Sequence, residues 1–236
     1  MTTLLFLGFL IGMRHALEAD HVAAIATLAT RTNSLRGALR QGAAWGLGHT
    51  LTLFLFGLIV ILMDSVIPAA FALKLEFAVG CMLVILGLDV MRRLIRDRIH
   101  FHTHKHTKGV QHFHAHSHAG QQSHNPATHQ HQHPEAFPVR ALLIGLMHGM
   151  AGSAALILLT LETIQSPALG IAYIALFGLG SMLGMAALSV VIAIPLRRSA
   201  QGLTWLHNSL QATVGMATIA LGSYVVLDVG TQITVL

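Results

Sequence analysis

The chain has 236 residues, 54% of them hydrophobic and only 10% charged, with a mean hydropathy of +0.66. Soluble proteins carry about 25% charged residues, and several apolar stretches exceed the roughly 20 residues that cross a bilayer, so composition excludes a water-soluble domain and predicts a polytopic membrane protein. The pI of 10.1 reflects 14 Lys and Arg against 9 Asp and Glu. Loop placement explains it better than a nucleic-acid surface does, and no nucleic-acid partner is expected. The single cysteine, Cys81, lies inside an apolar run, which rules out an intrachain disulfide and a thiolate metal cluster.

Hydropathy marks six spans, at residues 4–28, 42–63, 69–94, 139–161, 168–196 and 203–227. The bilayer offers no water to backbone amides, so all six must be helical. The N-terminal stretch has the length of a signal peptide but no basic flank and no small-residue cleavage site, and it is expected to stay in the mature protein. Splitting the first span at its polar patch would leave an opening helix that rises only about 15 Å, half the hydrocarbon thickness, so the span reads as one helix with at most a kink.

Arg31, Arg36 and Arg40 follow span 1, seven basic residues from Arg92 to Arg140 follow span 3, and Arg197 and Arg198 follow span 5. These are twelve of the fourteen basic residues. The positive-inside rule puts those loops in the cytoplasm and both termini outside, in a multi-pass protein of the inner (plasma) membrane.

The chain also repeats itself. LIGMRH from Leu10 aligns with LIGLMH from Leu143 at an offset of 133, pairing His15 with His148. GLGH at Gly46 aligns with GLGS at Gly178 at 132, and VG followed by glycine seven residues on recurs at Val79 and Val214, an offset of 135. Three spans per repeat is an odd number, so the second half must insert upside down. The expected fold is therefore all-α: six transmembrane helices as two inverted three-helix repeats, residues 1–95 and 139–236, joined by a His-rich loop at 96–138. Secondary transporters are built this way, with the site near the midplane between the halves.

Span 1 carries Arg14, His15, Glu18, Asp20 and His21 within eight residues. A charge at a helix centre costs about 2.5–3.5 kcal/mol, so such a cluster must face the protein interior and act there. At about 100° per residue His15, Glu18 and His21 share an arc with Arg14, which reads as the partner of Glu18, whereas Asp20 falls about 100° outside it. Asp20 either joins the histidines through a local unwinding or orients an imidazole from behind. His49 and His148 lie near the midplane of spans 2 and 4, and His207 near the cytoplasmic end of span 6. Taken singly, His49 or His148 reads as a hydrogen-bonded packing residue. Together with the span 1 cluster they supply four imidazoles and two carboxylates at one depth, the donor set for a borderline dication such as nickel, cobalt or zinc. The candidate metal residues are His15, Glu18, Asp20, His21, His49 and His148. Met13, Met147 and Met150 neighbour them and could line a path.

R-H-A-L-E-A-D-H at residues 14–21 resembles the H-x-x-x-x-D-H signature of the nickel/cobalt transporter family, and L-G-H-T at 47–50 resembles its L-G-H-S segment. The resemblance implies a metal permease in which His15, Asp20, His21 and His49 match positions needed for transport and metal selection. In length, and in H-G-M-A-G-S-A at 148–154, the chain is similar to the short members encoded with urease genes, and it lacks the later aspartate motif of the eight-span members.

Residues 100–133 hold twelve histidines among Gln, Ser, Thr and Gly. Such a segment cannot bury a core and is expected to be disordered and to chelate transition metals weakly on the cytoplasmic side. Gly46 and Gly178 read as close helix packing, and neither G-x-x-x-x-G-K-[ST] nor H-E-x-x-H occurs, so no nucleotide, cofactor or enzymatic activity is expected.

The reading is a secondary transporter of nickel, with cobalt next, most naturally in the uptake direction. An inside-negative potential of 100 mV gives a dication about 4.6 kcal/mol, roughly three decades of accumulation without ATP. A cytoplasmic metallochaperone or nickel-enzyme maturation system is the expected partner. Efflux through the same site, a b-type haem protein with paired axial histidines, and a metal-storing anchor that works only through the loop are the rival readings.

Overall fold

The structure, a computed structural model, describes residues 2–32, 34–63, 68–96, 100–105, 111–116, 137–149, 166–200 and 203–235. Seven helices occur among them: α1 (Thr2–His15), α2 (Ala19–Ala29), α3 (Leu35–Met63), α4 (Ala69–Arg96), α5 (Val139–His148), α6 (Pro167–Ala200) and α7 (Thr204–Val235). Four of these, α3, α4, α6 and α7, contain segments long and apolar enough to cross a membrane. The protein is a helical membrane protein.

The first span is not one helix, contrary to the sequence expectation. α1 stops at His15, Leu17 and Glu18 donate backbone bonds three residues back to Arg14 and His15, and Glu18 takes an extended conformation before α2 begins. The break falls at the polar patch, where side chains can satisfy the backbone and each other. Irregular backbone is tolerated at membrane depth only in such a setting. The fourth span is described as far as Gly149, and its remainder lies outside the described residues.

α3 packs along α6, and α4 along α7; α1 lies on α6, α5 lies on α3, and α2 is wedged between α4, α6 and α7. Glycine makes these approaches possible. A Cβ on Gly12 would overlap the Phe177 carbonyl, and one on Gly145 would overlap the Trp45 carbonyl. These two contacts exchange into each other under the sequence offsets of 133 and 132. Two others further out exchange under the offset of 135: a Cβ on Gly87 would lie 2.7 Å from the Gly215 carbonyl oxygen and one on Gly222 would lie 2.7 Å from that of Gly80. Thr50 Oγ1 donates to the Gly178 carbonyl at 2.9 Å and Thr52 Oγ1 to that of Leu146 at 3.0 Å, tying α3 to α6 and to α5.

The arginine-bearing loops gather at one end. Arg31, Arg93 and Arg140 converge on Asp89 of α4, the latter two at 3.4 and 3.5 Å, and Arg93 donates to Thr30 Oγ1 at 2.9 Å. Arg197, in the last turn of α6, faces Thr30 and Thr32 across a cavity of about 210 Å³. In the His-rich segment, His100–Lys105 and Gln111–His116 pair as an antiparallel ribbon, where the sequence reading expected no regular structure. Both runs alternate residue by residue, a period that suits a strand.

Candidate metal centre

The helix break after His15 and the end of α5 place the polar side chains. His15 is the last residue of α1, Asp20 and His21 stand in the first turn of α2, His49 is midway along α3, and His148 closes α5. All four imidazoles are at most 2% exposed. Their rings touch in a continuous cluster: the centroids of His15 and His21 are 4.4 Å apart, those of His21 and His148 4.3 Å, and those of His21 and His49 5.0 Å.

Two carboxylates orient the rings from the rim. His15 Nδ1 donates to Glu18 Oε1 at 2.8 Å, His21 Nδ1 to Asp20 Oδ1 at 2.8 Å, and His148 Nε2 to Asp20 Oδ2 at 3.0 Å. Each bond fixes a tautomer whose other ring nitrogen carries a lone pair. Among the described residues, that nitrogen in His21 (Nε2) and His148 (Nδ1) is buried with no hydrogen-bond partner, and His15 Nε2 meets only His49 Nε2, at 3.3 Å. Buried nitrogen lone pairs without partners are costly unless something else binds them. A carboxylate behind an imidazole is also the arrangement that holds metal-binding histidines in place. Two groups have ligand atoms close enough for one ion, within 4.8 Å of one another: His15, His21 and His49, and Asp20, His21 and His148.

All six residues singled out in the sequence thus meet in one place, with one correction to their roles. Asp20 reaches the histidines through the local unwinding after His15, one of the two arrangements the sequence allowed. Glu18 is held by His15 and not by Arg14, because the break removes the helical spacing that would have paired them. Met13 and Met147 expose their side chains instead of lining the cluster, and Met150 lies outside the described residues.

No family profile and no solved structure matches the chain. Over 233 residues it is 34% identical to urease accessory protein UreH of Bacillus sp. (strain TB-90), an alignment covering 98% of this chain and 93% of that protein. The chain belongs to the UreH family.

Two residues of this UreH-family chain that the sequence reading passed over close the site. Trp45, fully buried, sets its ring 5.4 Å from those of His21 and His148, and Phe177 lies 5.4 Å from His15. Their signal was there to find. Trp45 precedes His49 by four residues on the same face of α3, and Phe177 is its counterpart at offset 132. His207 stands apart from the centre, its Nδ1 donating to the Leu196 carbonyl at 3.0 Å beside the cavity at the arginine-rich end.

Proposed function

We propose that this UreH-family protein is a permease for nickel, with cobalt as its second substrate, moving the dication inward through the cluster of His15, Asp20, His21, His49 and His148. The observation that carries the reading is four buried imidazoles, two of them shared by one carboxylate, with unpartnered nitrogens at the heart of a membrane protein. Neutral imidazole and carboxylate suit a borderline dication, and a relative named as a urease accessory protein fits nickel. His15, His21 and His49 are first in line as ligands, His148 and Asp20 complete or hand on the ion, and Glu18 holds His15. Imidazoles packed ring to ring against Trp45 favour a bare ion over a planar macrocycle.

Two inverted three-helix repeats form the transport unit. Exchange of the Gly12–Phe177 and Gly145–Trp45 contacts at the repeat offset supports this. The arginine-rich end faces the cytoplasm, where the His-rich loop buffers the arriving metal for a metallochaperone or nickel-enzyme maturation system. The test is radiolabelled nickel accumulation in cells expressing the wild type or a His15→Ala/Asp20→Ala/His21→Ala variant at matched levels. Accumulation above empty cells by the wild type alone supports uptake. Accumulation below empty cells, relieved by the variant, makes the protein an exporter through the same site. No difference between any of the cells removes nickel transport.

A further inference from the structure

Two separate apolar clusters adjoin the centre, and each contributes one aromatic ring to it. Trp45 belongs with Leu28, Leu86 and Ala141, which sit within three residues of Arg31, Asp89 and Arg140 and so mark the arginine-rich end. Phe177 belongs with Leu53 and Ile174, backed by Ile61 near the far end of α3. We propose that Trp45 and Phe177 are the two gates of the metal site, Trp45 closing it toward the arginine-rich end and Phe177 toward the opposite end. The proposal rests on the permease reading and names the parts of the chain that keep the ion from leaking.

The register of α3 on α6 sets the order of the residues. Gly46 lies against Met182 and Thr50 against Gly178, so the helices run antiparallel and Phe177 is level with residue 51 of α3. At about 1.5 Å per residue Trp45 and Phe177 are roughly 9 Å apart along the axis. His49 falls between them.

Both rings are buried, at 0% and 1% exposure, and both are carried by backbone pinned against a glycine, Gly145 for Trp45 and Gly12 for Phe177. A dication held by imidazoles cannot cross an apolar cluster in exchange for no ligands. With both rings in place the site is therefore closed on both sides, and release needs one of them to swing aside.

Beyond Trp45 the way is not apolar throughout. The indole Nε1 and, one turn nearer the arginine-rich end, Gln41 Oε1 are buried without a hydrogen-bond partner among the described residues. Together with His49 Nδ1 they form three unpartnered polar atoms on successive turns of α3. Water would satisfy all three, and Gln41 Oε1 and a lone pair on His49 Nδ1 could also face a cation, whereas the indole N–H can only donate.

The test uses the full chain in liposomes, with nickel chloride as the probe, and compares wild type, Trp45→Leu, Phe177→Leu and the double variant. Nickel binding in detergent should stay within about threefold of wild type in all four, because no ligand is removed. Two gates in series predict a particular pattern of passive nickel leak. Each single variant should stay within about threefold of wild type, while the double variant should rise about thirtyfold or more once neither ring excludes the ion. A packing defect would instead show already in the singles and add up in the double. Leak unchanged in the double variant, or as high in one single as in the double, overturns the gates. Failure of the wild type to bind nickel overturns the metal-site reading itself, and the gates with it. If the leucine variants do not fold, Trp45→Met and Phe177→Met, closer in volume, are subject to the same criteria.

Discussion

Asp20 accepts a hydrogen bond from a histidine of each half of the chain, His21 at 2.8 Å on one oxygen and His148 at 3.0 Å on the other. A single carboxylate thereby couples the N-terminus of α2 to the C-terminus of α5. Its place in the first turn of α2 adds the favourable field of the helix N-terminus to the two bonds.

Asp20 should accordingly be the most sensitive of the rim carboxylates. An Asp20→Asn variant keeps the size but can accept only one of the two N–H bonds well, which frees either His21 or His148 to take the wrong tautomer. Loss of such a supporting carboxylate lowers metal affinity by about 10–100-fold. Isothermal titration of the purified protein with nickel chloride reads this directly, and an unchanged affinity would show that Asp20 does not set the imidazoles for metal.

Glu18 tests the converse. It holds His15 alone and its side chain is 48% exposed, so water can replace it. Glu18→Gln should weaken nickel binding by less than about tenfold, since a solvated hydrogen bond contributes only about 0.5–1.5 kcal/mol. The ratio of the two variants' affinities is the measurement, and a Glu18 effect larger than that of Asp20 would reverse the assignment.

Much of this arrangement was legible in the sequence, for physical reasons. The charged and imidazole groups crowded into span 1 are too costly to be incidental, and His49 and His148 could be added to them by their matching depth and, for His148, by the repeat. The offset of 133 paired His15 with His148, and the structure ends a helix at each. The polar patch allowed a kink or a local unwinding, but the full break after His15 was underestimated, because hydropathy measures how apolar a stretch is and does not register an extended Glu18 in its middle. Helical periodicity therefore set Asp20 apart from the histidines it contacts, and gave Glu18 the wrong partner in Arg14. The arginine hub was also hidden. Asp89, 58 residues from Arg31 and 51 from Arg140, becomes their shared acceptor only through tertiary packing.

The glycine contacts give a paired prediction. A methyl group at Gly12 or Gly145 would overlap a carbonyl of the facing helix, Phe177 or Trp45, and only a shift of the helices can relieve it. Overpacking of this kind costs about 1–3 kcal/mol. Gly12→Ala and Gly145→Ala should lower the thermal unfolding temperature of the detergent-solubilised protein by several degrees, and by similar amounts, because the two contacts are exchange-related. A large effect at one position with none at the other would count against equivalent repeats.

Trp45 provides an optical readout of the site. The chain has two tryptophans. Trp45 is packed 5.4 Å from the rings of His21 and His148, whereas Trp205 is 68% exposed at the start of α7. An open-shell ion such as nickel bound by those histidines should quench Trp45. A Trp205→Phe variant should keep most of the nickel-dependent quenching, and adding His21→Ala should abolish it at the same nickel concentration. Quenching that disappears with Trp205→Phe alone would place the metal elsewhere.

The last prediction concerns Asp89, where three arginines from three segments meet one carboxylate whose side chain is 28% exposed. Isolated exposed ion pairs contribute about 0–1 kcal/mol, but a shared, partly buried acceptor does more, because its loss leaves three positive charges facing one another. Asp89→Asn should cost about 1–3 kcal/mol, read as a lower unfolding temperature in detergent. The contributions of the arginines should be graded. Arg140, 46% exposed and 3.5 Å from the carboxylate, should matter least, while Arg31, whose side chain is 28% exposed, and Arg93, which also holds Thr30, should matter more. Raising the salt concentration screens the repulsion among the exposed charges. The deficit of Asp89→Asn should therefore shrink between low and high salt, and a deficit insensitive to salt would show that shape, and not charge, holds the arginine-rich end together.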